Sequence, residues 1–286
     1  MNAVGDLGRA TRAELRRLVR WPAMWVLCGV WLLLNLTFAY VFPYLTYRDG
    51  TTVGPRAGTG TLESMLPDHA PVAVVQGMPM FGGALVLILG ALAIGGPYGW
   101  GTWKTVFTTG PRRGVALTGT LLALGAVLVG LTIATLALDL TAASVVAGVE
   151  NQAIVLPGAG DVLRGTGAAL LIAAMWTVGG ALLGALARGP ALAVGLGLVW
   201  TLVVENLLRG VANLLTALAT ITDCLPGTVA GSLAAAAGAL PPSDPNGSPG
   251  VNTIHDGATA LLGVIVFLVA FGAATVGLVS RRDLAA

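Results

Sequence analysis

Six long apolar runs alternate with short polar pieces along this chain. They cover Ala23–Phe42, Met80–Gly96, Val115–Leu138, Gly167–Ala187, Ala191–Leu208 and Thr259–Val279. Each is close to the ~20 residues that a helix needs to cross a hydrocarbon slab of ~30 Å. Lipid offers backbone amides no water, so such runs must bond internally as helices. The pattern predicts an all-α integral membrane protein of six transmembrane helices, forming a single transmembrane domain over 1–286. Two weaker apolar stretches, Gly210–Thr222 and Val229–Leu240, lie within the outer loop 209–258, separated by Asp223-Cys-Leu-Pro-Gly227. Neither spans comfortably. They read as short re-entrant helices, with a seventh and eighth span as the competing reading. Pro241 to Gly250 is rich in proline and reads as an irregular surface loop. Gly180 and Gly184 form a small-xxx-small pair in span four, which permits close helix contact.

Charge supports this reading and orients it. Only 10% of residues are charged, against about 25% in a typical soluble domain, and the mean hydropathy is +0.85. With the N-terminus inside, the inner pieces hold Arg9, Arg12, Arg16, Arg17, Arg20, Lys104, Arg112, Arg113, Arg188, Arg281 and Arg282; only Arg48, Arg56, Arg164 and Arg209 fall outside. The positive-inside rule then places both termini in the cytoplasm. Span one is too long for a signal h-region, and no small-x-small cleavage site follows Tyr40. Cys28 lies inside span one and Cys224 in the last outer loop, at different depths, so a disulfide between them is not expected.

The cytoplasmic pieces carry the most distinctive residues. In the segment 1–22, Leu7, Leu15, Leu18 and Val19 can share one helical face, with Arg9, Arg12, Arg16 and Arg20 around the other. That pattern suits a helix lying in the headgroup plane. Pro22 disfavours helix at Trp21, so the chain can turn there into span one. The connection 97–114 is far richer in aromatic and basic residues than its surroundings. Thr102 can cap a short helix that Gly110-Pro111 would stop. Trp103, Val106 and Phe107 fall on one apolar face of it. So short a helix is marginal alone and needs a membrane surface or a protein groove. Trp103-Lys104-Thr105 is not a P-loop, because that motif needs Gly before the Lys and Gly six residues earlier; here those positions hold Trp103 and Tyr98.

On these residues the chain resembles an ABC-2 type permease, the membrane subunit of bacterial ABC exporters, over nearly its whole length. The family pattern has a basic elbow segment before span one, here Glu14-Leu-Arg-Arg-Leu-Val-Arg-Trp-Pro22. It has Gly-Thr and a basic residue after span two, here Gly101-Thr102-Trp103-Lys104. An arginine-bearing turn follows, here Gly110-Pro111-Arg112-Arg113, and an Arg-Asp pair after span six, here Arg282-Asp283. Two positions depart from it: Pro97 stands where many relatives carry an acid, and Gly119 or a neighbour where many carry a lysine. The resemblance implies two permeases paired in the membrane, this chain with a second copy or a similar chain. Two separate ATPase subunits would dock below, holding ATP and magnesium, with no cofactor on this chain. It implies that Thr102, Trp103, Lys104, Val106, Phe107, Arg112 and Arg113 form a coupling segment contacting the ATPase. Trp103 and Phe107 would serve as its apolar anchor. Glu14, Arg16, Arg17 and Arg20 would lie on an elbow helix.

Within the spans ionisable side chains are nearly absent. Asp139 falls at the outer end of span three, where water can reach it. Glu205, near the outer end of span five, stands four residues before Arg209, a spacing that lets them pair. The pair reads as an ion pair at the membrane edge or as an outer gate. A secondary transporter driven by protons or sodium is the main rival reading, since that class buries acids near mid-membrane. An intramembrane enzyme is the third; the sequence has no Gly-x-Ser-x-Gly elbow and no paired His/Glu metal motif. Apolar cavity walls suit an amphiphilic cargo such as a drug, lipid or hydrophobic peptide. Membrane lipids are expected partners and nucleic acid is not. The arginine-for-lysine bias and the high Ala and Gly content suggest a high-GC bacterium, and with it a bacterial cell membrane.

Overall fold

The computed structural model describes residues 3–49, 62–103, 105, 112–212, 216–244 and 247–281. Every regular element among them is helical. Among the described residues six helices are long and apolar enough to cross a membrane: Pro22–Arg48, Pro67–Gly99, Arg113–Val149, Ala159–Ala187, Pro190–Val211 and Gly257–Ser280. This is the architecture of a multi-pass membrane protein. We number these spans one to six. We call the end that carries the N-terminal helix (Ala3–Val19), the end of span two and the start of span three the basic end, and the other the distal end.

The helices outrun the apolar segments at the distal end. Span two begins at Pro67 rather than near Met80. Asp68 and His69 interrupt the hydropathy of its first turns, yet Ala70, Pro71, Val74 and Val75 are buried. Span three continues past Asp139 to Val149, and at 1.5 Å per residue it far exceeds a ~30 Å slab. Three spans contain a π-helical turn, at Thr37–Val41, Met78–Gly82 and Val199–Val204.

Spans two and four form the centre. Over their most apolar windows they are 67% and 61% buried, against 17% for spans one and six and 22% for span five. Their backbones touch at glycine. A Cβ at Gly180 would overlap the Leu87 carbonyl, and one at Gly90 the Thr177 carbonyl. The small-xxx-small pair of span four, Gly180 and Gly184, is therefore where span two lies. Ile172, Met175 and Trp176 of span four fill the core with Val86 and Leu87 of span two and Trp31 of span one.

Between spans five and six lie two short helices, Thr216–Asp223 and Pro226–Ala236. Every residue from Pro226 to Ala234 is buried. Val229, Ala230, Leu233 and Ala234 belong to the main core. This helix packs on spans four and six and on the π turn of span two. It is too short to cross a bilayer. A short helix buried at the distal end is what the weak hydropathy of 229–240 reflects.

Candidate functional sites

Two arrangements of polar residues stand out, one at each end, and a third lies between spans one and three.

At the basic end, the N-terminal helix packs on the start of span three. Ala10 touches the backbone opposite Gly119, where a Cβ would lie 2.9 Å from the Ala10 Cβ. Its apolar side meets protein: Leu18 is fully buried with Leu89 and Ala93 of span two and Ala123 and Leu124 of span three, and Leu15 packs beside them. The helical segment is present, and Leu15 and Leu18 of its apolar face are covered by the chain itself, whereas Val19 is 47% exposed. The four elbow residues separate into two pairs. Arg16 and Arg20 are exposed. Glu14 and Arg17 turn toward the 97–103 connection, with Arg17 Nε donating to Glu14 Oε2 at 2.8 Å.

Arg17 makes a second bond whose origin can be read from the chain. Pro97 lies inside the span-two helix and has no N–H to give the carbonyl four residues back. That carbonyl belongs to Ala93, and Arg17 Nη2 donates to it at 3.3 Å. The guanidinium also lies 6.0 Å from the centre of the Trp21 ring. Glu14, Arg17, Pro97, Trp100, Thr102 and Trp103 line a cleft of ≈ 60 Å³ between helix and connection.

Trp103 does not serve as an outward anchor. It is only 3% exposed. Its indole N–H donates to the Ile94 carbonyl at 3.1 Å, and its ring packs with Ile94, Leu117, Ala181, Ala185 and Val279. The spacing of Trp103 from its apolar neighbours indicates a face but not its direction; the core of spans two, three, four and six claims it. Among the described residues of the connection, the exposed aromatic is Trp100, at 70%. Thr102 and Arg112 are exposed and Arg113 is half-buried. Lys104, Val106 and Phe107 lie outside the described residues.

At the distal end, Glu205 is 1% exposed. Its Oε2 stands 3.5 Å from Arg209 Nη2, so the i,i+4 pair forms. Two further donors were not visible in the sequence. Trp200 Nε1 donates to Oε1 at 2.8 Å, and the Gly227 N–H donates to the same oxygen at 3.3 Å. Residues five apart do not align on an α-helix, but the π turn Val199–Val204 brings Trp200 and Glu205 onto one side. Gly227 is in the first turn of the Pro226–Ala236 helix, behind Pro at N1. A carboxylate there meets free N–H groups and the positive end of the helix dipole. A side chain at 227 would overlap Glu205 Oε2. Glu205 thus fastens span five to the buried short helix. The Leu225-Pro226-Gly227 sequence was the available signal.

Asp139 is not wet. It is fully buried. Its Oδ1 accepts from Asn35 Nδ2 of span one, and its Oδ2 has no partner among the described residues. One turn toward the basic end, Trp31 Nε1 donates to Thr135 Oγ1 at 3.0 Å. Toward the distal end, the Tyr44 hydroxyl donates to Glu150 Oε1 at 2.8 Å. These bonds make a polar seam between spans one and three, which run parallel. Hydropathy missed it because Asp139 ends the apolar run while its partner is far away in sequence.

No group of three or more His, Cys, Asp or Glu residues is placed to hold a metal among the described residues. No protein-family model matches the chain, and no curated protein matches it.

Proposed function

We propose that this chain is the permease subunit of an ABC exporter in a bacterial cell membrane. It would pair with a second copy or a similar chain and take mechanical work from a separate ATPase subunit. The observation that carries this reading is the joining, at the basic end, of an amphipathic N-terminal helix to the connection after span two. The four motifs stand in order along the sequence. Force applied to the exposed side of the connection, at Trp100, Thr102 and Arg112, would pass through buried Trp103 into spans two, three, four and six. The Arg17 bond to Ala93 would make the N-terminal helix move with it. At the distal end, Glu205 and Arg209 would act as the outer gate by holding or releasing the short buried helix. The cargo would be amphiphilic, and ATP and magnesium would bind the partner alone.

The test is purification in mild detergent, asking whether a nucleotide-binding subunit co-purifies, followed by transport in liposomes. ATP-dependent export by the complex is expected. Full transport by this chain in liposomes lacking any nucleotide hydrolase would overturn the reading. One observation favours a second reading, an ion-coupled secondary transporter: Asp139 is a buried acid within a span. Transport driven by a proton or sodium gradient without ATP would support it.

A further inference from the structure

At the distal end an apolar trough of ≈ 280 Å³ opens between span four, the Pro226–Ala236 helix and the start of span six. Ala168, Leu171, Leu233, Ala237 and Leu261 wall it, and Arg164 stands at its rim. Its depth can be counted from the other end. Span four ends at Ala187 before Arg188, and span six at Ser280 before Arg281. About 20 residues back from these ends, the length that crosses the hydrocarbon, lie Ala168 and Leu261. Arg164 lies one helical turn beyond Ala168, and Gly257 one turn beyond Leu261. At 1.5 Å per residue that turn is about 6 Å, which puts both at headgroup level. The trough therefore straddles the boundary between acyl chains and headgroups.

The charges at that level are of both signs. Arg164 is exposed and has no ion-pair partner among the described residues. Asp161 precedes it by one turn, and Asp256 adjoins Gly257 on the facing span. A guanidinium takes a phosphodiester by charge-assisted hydrogen bonds. The two carboxylates repel an anionic headgroup and suit a cationic one beside that phosphate. We infer that the trough is a binding site for one zwitterionic phospholipid of the distal leaflet. One acyl chain lies along Ala168, Leu171, Leu233 and Leu261, the phosphate sits on Arg164, and the ammonium faces Asp161 and Asp256. The bound lipid would cover the end of the short helix, at Ala236 and Ala237, where span six begins. The inference is independent of the exporter reading, because it concerns a resident lipid and not a cargo.

The experiment is native mass spectrometry of the detergent-solubilised full chain, titrated with phosphatidylethanolamine and with phosphatidylglycerol of the same acyl chains. One saturable phosphatidylethanolamine per chain is expected, bound more tightly than phosphatidylglycerol. Arg164→Glu removes the phosphate contact, and Gly167→Phe fills the trough; each should weaken binding about tenfold. Both variants keep the fold intact, since Arg164 is exposed and no atom lies within 4 Å of a Cβ built at Gly167. Non-saturable binding, equal affinity in both variants, or preference for phosphatidylglycerol would overturn the proposal.

Discussion

Trp103 separates two views of the basic end, and its replacement tells them apart. If the indole is a core group, Trp103→Ala opens a cavity among Ile94, Leu117, Ala181, Ala185 and Val279. Truncating a buried Trp costs about 3–5 kcal/mol. Trp103→Phe keeps most of the buried ring and loses the bond to the Ile94 carbonyl, worth about 1 kcal/mol. For a chain of this size each kcal/mol moves the melting temperature by about 2–4 °C. The alanine variant should then melt about 6–20 °C lower and the phenylalanine variant about 2–4 °C lower. The assay is thermal unfolding in mild detergent, read by the fluorescence of the remaining tryptophans. Limited trypsin digestion supplies a second reading, because a connection released from Ile94 should be cut faster at Arg112 and Arg113. An outward-facing anchor predicts the reverse: unchanged melting and digestion, with weakened partner binding. Equal melting of the two variants would refute the core assignment.

Other expectations follow from the same geometry. Pro97→Ala supplies the N–H that the Ala93 carbonyl lacks, so Arg17→Ala should cost about 1 kcal/mol less with Pro97→Ala than in the native background, the losses at Glu14 and Trp21 being common to both; a thermal double-mutant cycle measures the difference, and additive effects would refute the link. Asp139→Asn keeps a partner for Asn35 and should leave folding near normal. Asp139→Leu strands the Asn35 amide at a cost of about 1–3 kcal/mol, visible as a lower melting temperature. Gly180→Leu drives a side chain into the Leu87 carbonyl, and loss of a monodisperse peak on size exclusion is expected, whereas the same change at exposed Gly130, where a Cβ meets nothing, should be tolerated. Asp256 accepts from the Thr259 hydroxyl and from nearby N–H groups, which hold its carboxyl below the usual range. Its contribution to the start of span six is present above the ordinary carboxylate pKa and lost as pH falls through the lowered value. Asp256→Ala should flatten stability against pH in that acid window.

What could be read from the chain was what lipid and local spacing dictate. Six spans follow from apolar run length alone, because an unpaired amide in hydrocarbon is too costly to permit alternatives. The Glu205–Arg209 pair follows from i,i+4 spacing on a helix, and the close approach at Gly180 from the absence of side chains. The distal helix ends were underestimated, because hydropathy measures where lipid must be and the protein covers its own helices beyond that limit. Asp68 and His69 look like a loop on any apolarity scale, yet they begin a helix whose next two turns are buried by span four.

The misread residues share one cause: each owes its role to a partner that no local window contains. Asp139 needs Asn35, across a parallel helix 104 residues away. Trp200 reaches Glu205 only because a π turn adds one residue to the helix, and nothing in Val199–Val204 marks that turn. Pro97 illustrates the point most sharply. As a departure from the resemblance it reads as the loss of a charge that would face a partner. In the fold it removes one amide hydrogen, frees one carbonyl, and so gives Arg17 of the N-terminal helix an acceptor on span two. A missing charge at the surface and a freed carbonyl at the interface are the same substitution seen from outside and from inside. The second adds one bond to a joint that rests on the packing of Leu15 and Leu18 against spans two and three. Restoring the N–H here should loosen the N-terminal helix while leaving all six spans in place.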